Sequence, residues 1–227
     1  IDVLTEYHDA IKAVSPDAVV ILEHFCCDAE ERALAEEGIK VWRNLNNSYC
    51  QSAMGYVENS SFSGLWTGTS MPFGSYVGFM ESHDEERAFF KAKQWGNGDL
   101  KTNEEARVAR VPLNMAFLTM LNGPKMFYHF AELGFDYSKY QNAQGKWGKN
   151  DYGITSQLGT DYDCKMQAKY RPESWLRQGH CRMAAFQKVG QIIQLRTRIM
   201  PEVFEKFQEN KKATKKSRNI DDSFLCA

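Results

Sequence analysis

Four short apolar runs alternate with stretches of helical periodicity, and this alternation restricts the chain more than any other feature. The runs are Val19–Phe25, Ile39–Trp42, Tyr76–Met80 and Lys125–Phe130. Runs of that length bounded by turn residues predict buried strands. Asp2–Val14 predicts a helix, with Val3, Leu4, Tyr7, Ile11 and Val14 recurring at helical spacing and Ser15-Pro16 as its stop. Asp28 is the expected cap of a helix over Ala29–Glu37, closed by Gly38. A helix from Asn47 or Ser48 to about Tyr56 follows the second strand. Thr102 and Glu105 read as a capping box opening a helix to Leu121, bent at Pro112. Asn122-Gly123-Pro124 stops it, and Met183–Met200 reads as a final helix with Phe186, Val189, Ile192, Ile193, Leu195 and Ile199 on its apolar face. Strict alternation of strand and helix means parallel strands joined by helical crossovers. The fold class is therefore α/β. A closed (β/α)8 barrel needs twice as many strands and about 250 residues, so the count matches half a barrel or a small open sheet.

Composition narrows the function classes. A formal net charge of −1 over 227 residues creates no global field for nucleic acid or an anionic membrane. No apolar run reaches the roughly 18 residues of a membrane span. No leader pattern is visible, and the chain starts with Ile1, so a removed leader or further upstream sequence is expected. The basic run of Lys211, Lys212, Lys215, Lys216 and Arg218 lies in the segment 205–227, which reads as a solvated tail. The cysteines form no C-x-x-C pattern, so no metal site is expected from spacing, and Cys26-Cys27 read as small apolar fillers.

Two of the apolar runs end in carboxylates. Glu23 ends the first, and Asp84, beside His83, follows the third. Parallel strands two units apart deliver both acids to one mouth, and a pair of carboxylates around a scissile bond is the equipment of glycoside hydrolysis. A Glu on an apolar strand end is expected to lose hydration, which favours the neutral form that a general acid needs. A Glu paired with Lys or Arg at a strand end, and a His–Asp bond that locks a loop, are the competing structural readings. Glu85, Glu86 and Arg87 read as a solvated turn. Tyr128 and His129 lie on the mouth side of the fourth strand, ahead of a long irregular segment, Gly134–Arg182, where substrate contacts are expected. Trp42, Trp66, Trp147 and Trp175 are further aromatics of the kind that stack on sugars or fill cores.

The motifs resemble a known family. Val19–Phe25, then Trp42-Arg43-Asn44-Leu45-Asn46 and Met54-Gly55-Tyr56, look like the fifth- and sixth-strand region of bacterial α-amylases. Met80-Glu81-Ser82-His83-Asp84-Glu85-Glu86-Arg87 is similar to their seventh-strand motif. Asn122-Gly123-Pro124-Lys125-Met126 with Glu132-Leu133-Gly134-Phe135-Asp136-Tyr137 resembles the eighth-strand region, and Arg171-Pro172-Glu173-Ser174-Trp175 is a looser match to the segment after that strand. The family is the α-amylase superfamily of retaining glycoside hydrolases, family thirteen. The resemblance covers roughly Asp2 to Phe204 and implies a partial (β/α)8 catalytic domain over 1–204, holding strands five to eight with their helices.

The resemblance further implies Glu23 as general acid/base and Asp84 as the carboxylate that stabilises the transition state. It implies His83 as a contact to the sugar and α-1,4-glucan such as starch or glycogen as substrate, while the place of Tyr128 on the mouth side of the fourth strand makes it a further expected substrate-binding residue. Secretion or periplasmic residence is implied by the resemblance alone. No cofactor is expected within this chain; calcium is implied only for a full-length enzyme. The family's nucleophile, an Asp in a Gly-x-Arg-x-Asp motif on the fourth strand, has no counterpart in the sequence. The expectation is that the first four strands, the nucleophile and the C-terminal β-sandwich lie outside this chain, which is then inactive alone. A non-catalytic carbohydrate binder or scaffold of the same fold, and a transglycosylase, remain open as alternatives.

Overall fold

A computed structural model describes residues 1–63, 71–72, 74–120, 123–141, 146–148 and 173–198. The expected tail 205–227, Trp66, Arg171-Pro172 and most of the irregular segment after Tyr140 lie outside the described residues. In chain order the elements are α1 (Asp2–Val14), β1 (Ile21–Leu22), α2 (Asp28–Glu36), β2 (Lys40–Asn44), α3 (Asn46–Met54), β3 (Tyr76–Phe79), α4 (Ala88–Trp95), α5 (Asp99–Thr102), α6 (Glu104–Val108), α7 (Val111–Met120) and β4 (Lys125–Met126), followed by helical residues 181–198, here α8. The strands form one sheet in the order β1-β2-β3-β4, and every pairing is parallel. Among the described residues, the α/β class and the four-strand count agree with the alternation in the sequence.

Strand lengths follow from position in the sheet. The inner strands β2 and β3 pair over four residues, Val41 with Tyr76 through Asn44 with Phe79, and β3 is buried along its whole length. β3 is covered on both faces, as its continuous apolar run requires. The edge strands are shorter than expected. Of Val19–Phe25 only Ile21 and Leu22 pair, opposite Lys40 and Val41, while Val19, Ile21 and Phe25 are exposed. Of Lys125–Phe130 only Lys125 and Met126 pair, opposite Gly78 and Phe79. Beyond them Phe130 turns to φ +63°, and a 3-10 turn takes Ala131–Leu133.

The helical expectations need three corrections. Cys27, not Asp28, occupies the N-cap of α2, so Asp28 joins Glu30 and Glu31 in the first turn, where carboxylates favour the helix dipole. The helix expected from Thr102 to Leu121 is three helices. Thr102 ends α5, and Asn103 caps α6 by accepting from the Ala106 backbone N at 3.2 Å. The chain breaks before Val111, which puts Pro112 in the first turn of α7, where a missing N–H costs nothing. In α1 and α8 the apolar stripe expected to face the core is largely outside. Val3, Tyr7 and Val14 of α1 are exposed while His8 is buried; in α8, Arg182, Ala185 and Val189 point inward while Phe186 and Leu195 are exposed. Periodicity alone does not say which side of a helix receives a partner.

The main core lies among α3, α4, α7 and α8, around Tyr49, Met54, Phe89, Val111, Met115 and Val189. A polar seam stitches α3 to α7: Ser52 Oγ donates to Asn114 Oδ1 at 2.6 Å, Asn114 Nδ2 to the Tyr49 carbonyl at 3.1 Å, and Arg110 Nε to the Ser52 carbonyl at 2.7 Å. The turn into β4 depends on glycine. Gly123 sits at φ +76°, and a Cβ there would meet the Tyr76 carbonyl oxygen at 2.6 Å.

Candidate active site

Glu23 directly follows β1, and Ser82-His83-Asp84 follows β3, so parallel pairing puts both at the carboxyl end of the sheet. That end is where open α/β sheets and barrels place ligands. His83 bridges the acids. Its Nε2 is 3.7 Å from Glu23 Oε1 and 3.4 Å from Asp84 Oδ1, and one oxygen of each carboxylate lies within 4.8 Å of the other. Trp42, on the intervening strand β2, presents an edge to the His83 ring with centroids 6.1 Å apart. The same indole packs on Phe79 at 5.2 Å, which ties the imidazole to the sheet.

The cluster is open. The side chains of Glu23, His83 and Asp84 are 41%, 54% and 60% exposed. Glu23 is not buried as a Glu on a strand end was expected to be, because it lies past the last ladder residue of a short edge strand. Its neighbour is His83, not the Lys or Arg of the paired-acid reading.

Tyr128 lies in a different set of contacts. Two cations lie over its ring, the Arg87 guanidinium 4.4 Å and the Lys139 ammonium 5.1 Å from its centroid. These contacts hold Tyr128 against the base of the loop that carries His83 and Asp84.

That base is a buried polar network, not the solvated turn expected from Glu85, Glu86 and Arg87. Glu81 Oε2 accepts from Arg87 Nη1 at 2.8 Å, and Glu81 Oε1 accepts from the Ala88 backbone N at 2.8 Å. Arg87 Nη1 also donates to the His129 carbonyl at 2.9 Å. The Glu86 carboxyl accepts from the backbone N of Arg87 and of Lys139 at 2.8 and 3.1 Å, and from Ser138 Oγ. Lys139 Nζ donates to the Ser82 carbonyl at 2.5 Å. Asn46 Nδ2 donates to the carbonyls of Met80 and Glu86 at 2.9 and 3.2 Å. The loop itself is closed by Asp84 N donating to Ser82 Oγ at 3.1 Å and by Tyr140 Oη donating to the Asp84 carbonyl. Sequence reading missed Glu81, Glu86, Lys139 and Asn46. The available signal was a crowd of charges placed immediately after a fully apolar strand, where solvent is scarce.

Burial leaves its mark on these groups. It raises the Glu86 carboxyl above its ordinary range. Burial first, then Arg87 and Lys139, push the His129 imidazole down to about 4, which keeps it neutral near pH 7. Burial, followed by Arg87, lowers Lys139 to about 8, and burial with Arg196 lowers Lys125 to about 7, against 10.5 ordinarily. These two lysines set a pH dependence. Between about pH 7 and 9 the unfolded chain keeps both protons while the folded chain gives them up. The unfolded state then binds more protons, so stability rises with pH across that window. Above about pH 9 Cys50 begins to oppose the rise, because burial holds its thiol up to about 12 while the unfolded thiol ionises. Urea midpoints should be higher at pH 8.5 than at pH 7; a flat or falling midpoint would contradict the burial of Lys125 and Lys139.

Among the described residues, three groupings bring metal-ligating atoms together: Glu23–His83–Asp84, His24–Cys26–Glu30 and Glu104–His180–Cys181. The first does not suit calcium. That ion takes about six to eight oxygens, and here an imidazole contacts both carboxylates. No protein-family model matches the chain, and no curated protein matches it.

Proposed function

We propose that the chain is part of an α-glucan-active site of the α-amylase kind, with Glu23 as proton donor, Asp84 as the charge facing the reacting sugar and His83 as a hydroxyl ligand. In this reading the four-stranded sheet is the second half of a (β/α)8 barrel. The observation that carries it is the convergence of Glu23 and Asp84 on His83 at the carboxyl end of a parallel sheet. Glycosidic cleavage needs a proton on the leaving oxygen as the C–O bond breaks, and negative charge beside the oxocarbenium-like carbon. Glu23 and Asp84 are the chemical types for those tasks. A retaining reaction also needs a carboxylate that bonds to the anomeric carbon, and the Gly-x-Arg-x-Asp motif that supplies it in the resembled family is not in the sequence. The chain alone is therefore proposed to bind glucan without turnover.

The openness of Glu23 favours a second reading, a carbohydrate-binding protein of the same fold. A half-exposed Glu in contact with imidazole is suited to accepting hydroxyl hydrogen bonds.

Calorimetric titration with maltoheptaose and with a cello-oligosaccharide of equal length tests the site. Selective binding of the α-linked sugar is expected. His83→Ala and Asp84→Asn should each weaken it about tenfold or more, the worth of a hydrogen bond to a charged group. No binding, or undiminished binding by both variants, would remove the site. Release of reducing sugar that Glu23→Gln abolishes would instead overturn the proposed inactivity of the chain.

A further inference from the structure

The segment that leaves β1 carries a second cluster, on the α2 side of Glu23. His24 Nε2 lies 2.9 Å from Glu30 Oε1, and the Cys26 sulfur completes a set in which each residue has a ligating atom within 4.8 Å of the others. We propose that His24, Cys26 and Glu30 form a binding site for a borderline-soft divalent metal ion, zinc(II) above all, with solvent at the fourth position.

The donor set selects the ion. An imidazole nitrogen, a thiolate and a carboxylate suit zinc; calcium and magnesium take oxygen and do not accept a thiolate. Three protein ligands with an open fourth position are the pattern of zinc sites that exchange solvent. Bond lengths of about 2.0–2.3 Å to one ion place tetrahedral ligand atoms roughly 3.3–3.8 Å apart, so the 2.9 Å His24–Glu30 contact must open slightly and the Cys26 sulfur must settle in that range, adjustments that side-chain rotation supplies. Each of the three residues is partly exposed, so an ion has an entry path.

The surroundings fit a bound cation. Asp28, Glu30 and Glu31 place three carboxylates in the first turn of α2 and outweigh the positive end of its dipole. Glu31 is itself held by Arg43 at 3.7 Å and by the Tyr76 hydroxyl at 3.4 Å, which leaves Glu30 as the carboxylate that faces His24. The filler reading of Cys26-Cys27 does not describe this arrangement: Cys26 is half-buried and Cys27 is exposed. A bound ion would clamp residues 24–26 to the first turn of α2 and so fix the strand end from which Glu23 projects.

Cobalt(II) titration of the reduced full chain reads the site directly through thiolate-to-cobalt charge-transfer absorption. The band should saturate at one equivalent, be displaced by zinc(II) and be untouched by excess calcium(II). Cys26→Ser should abolish it, while Cys27→Ser and Cys181→Ser, which tests the competing cluster at Glu104, should retain it. His24→Ala should weaken zinc affinity by at least about tenfold. Far-ultraviolet circular dichroism of each variant verifies folding, and Glu30→Gln supplies an independent weakening if Cys26→Ser does not fold. Absence of the band in the parent chain, its persistence in folded Cys26→Ser, or its loss in Cys181→Ser would overturn the proposal.

Discussion

Asp136→Asn should lower folding stability by about 3–5 kcal/mol, the usual cost of stripping one partner from a buried ion cluster. Asp136 is 3% exposed. Its Oδ2 accepts from Arg182 Nη2 at 2.8 Å and Arg107 Nη2 at 3.3 Å, with Lys93 Nζ at 3.6 Å. Both guanidinium groups are buried and immobilised by other bonds. Arg182 donates to Glu104 at 2.7 Å and to the carbonyls of Leu133 and Gly134, and stacks 3.8 Å from the Trp175 ring centroid. Arg107 donates to the carbonyls of Leu100 and Lys101 at 3.0 and 3.3 Å. Neither can swing out to water, so an amide at position 136 leaves like charges facing each other in a poorly solvated space. A loss of this size is a large share of a typical total of about 5–15 kcal/mol. Urea unfolding should show a much lower midpoint at unchanged slope. A change within about 0.5 kcal/mol, the level of an ordinary surface substitution, would mean that the cluster does not fasten α6, α8 and the chain after β4 to one another.

Glu81→Gln should cost about 3 kcal/mol, near the lower end of the same range, because the amide oxygen still accepts from the Ala88 backbone N. The charge of Arg87, 2% exposed and pinned between the rings of Tyr128 and Phe135, is left without its carboxylate. The effect should extend to ligand binding. Glu81 immediately precedes Ser82-His83-Asp84, and the Arg87 bond to the His129 carbonyl ties that loop to the chain after β4. Under the proposed function, maltoheptaose affinity of the folded variant should therefore fall although residue 81 is buried and touches no solvent. Unchanged stability together with unchanged sugar affinity would show that the loop does not depend on this pair.

The sequence carried the α/β class, the number of strands and the meeting of Glu23, His83 and Asp84, because these depend on apolar runs and on the residues directly after them. Strand ends were less legible. The apolar run Val19–Phe25 reads the same whether or not a neighbour covers it, so the two-residue length of β1 and the openness of Glu23 were invisible. Asn103 beat Thr102 as a cap through a one-residue difference in where the chain turns. The ion network around Glu81, Arg87, Glu86 and Lys139 joins residues more than fifty positions apart, and spacing rules see only neighbours. Arg182 looked like the end of an irregular segment, yet it faces Asp136 from the first turn of α8.

Strand order along the sheet is identical to strand order along the chain. A polypeptide emerging N-terminus first can therefore lay this sheet down in a single direction, each newly made strand docking on the edge left by its predecessor. No strand must wedge between two that are already paired. Once the chain through α4 has emerged, β1, β2 and β3 are complete and adjacent, with β3 waiting as the landing edge for β4.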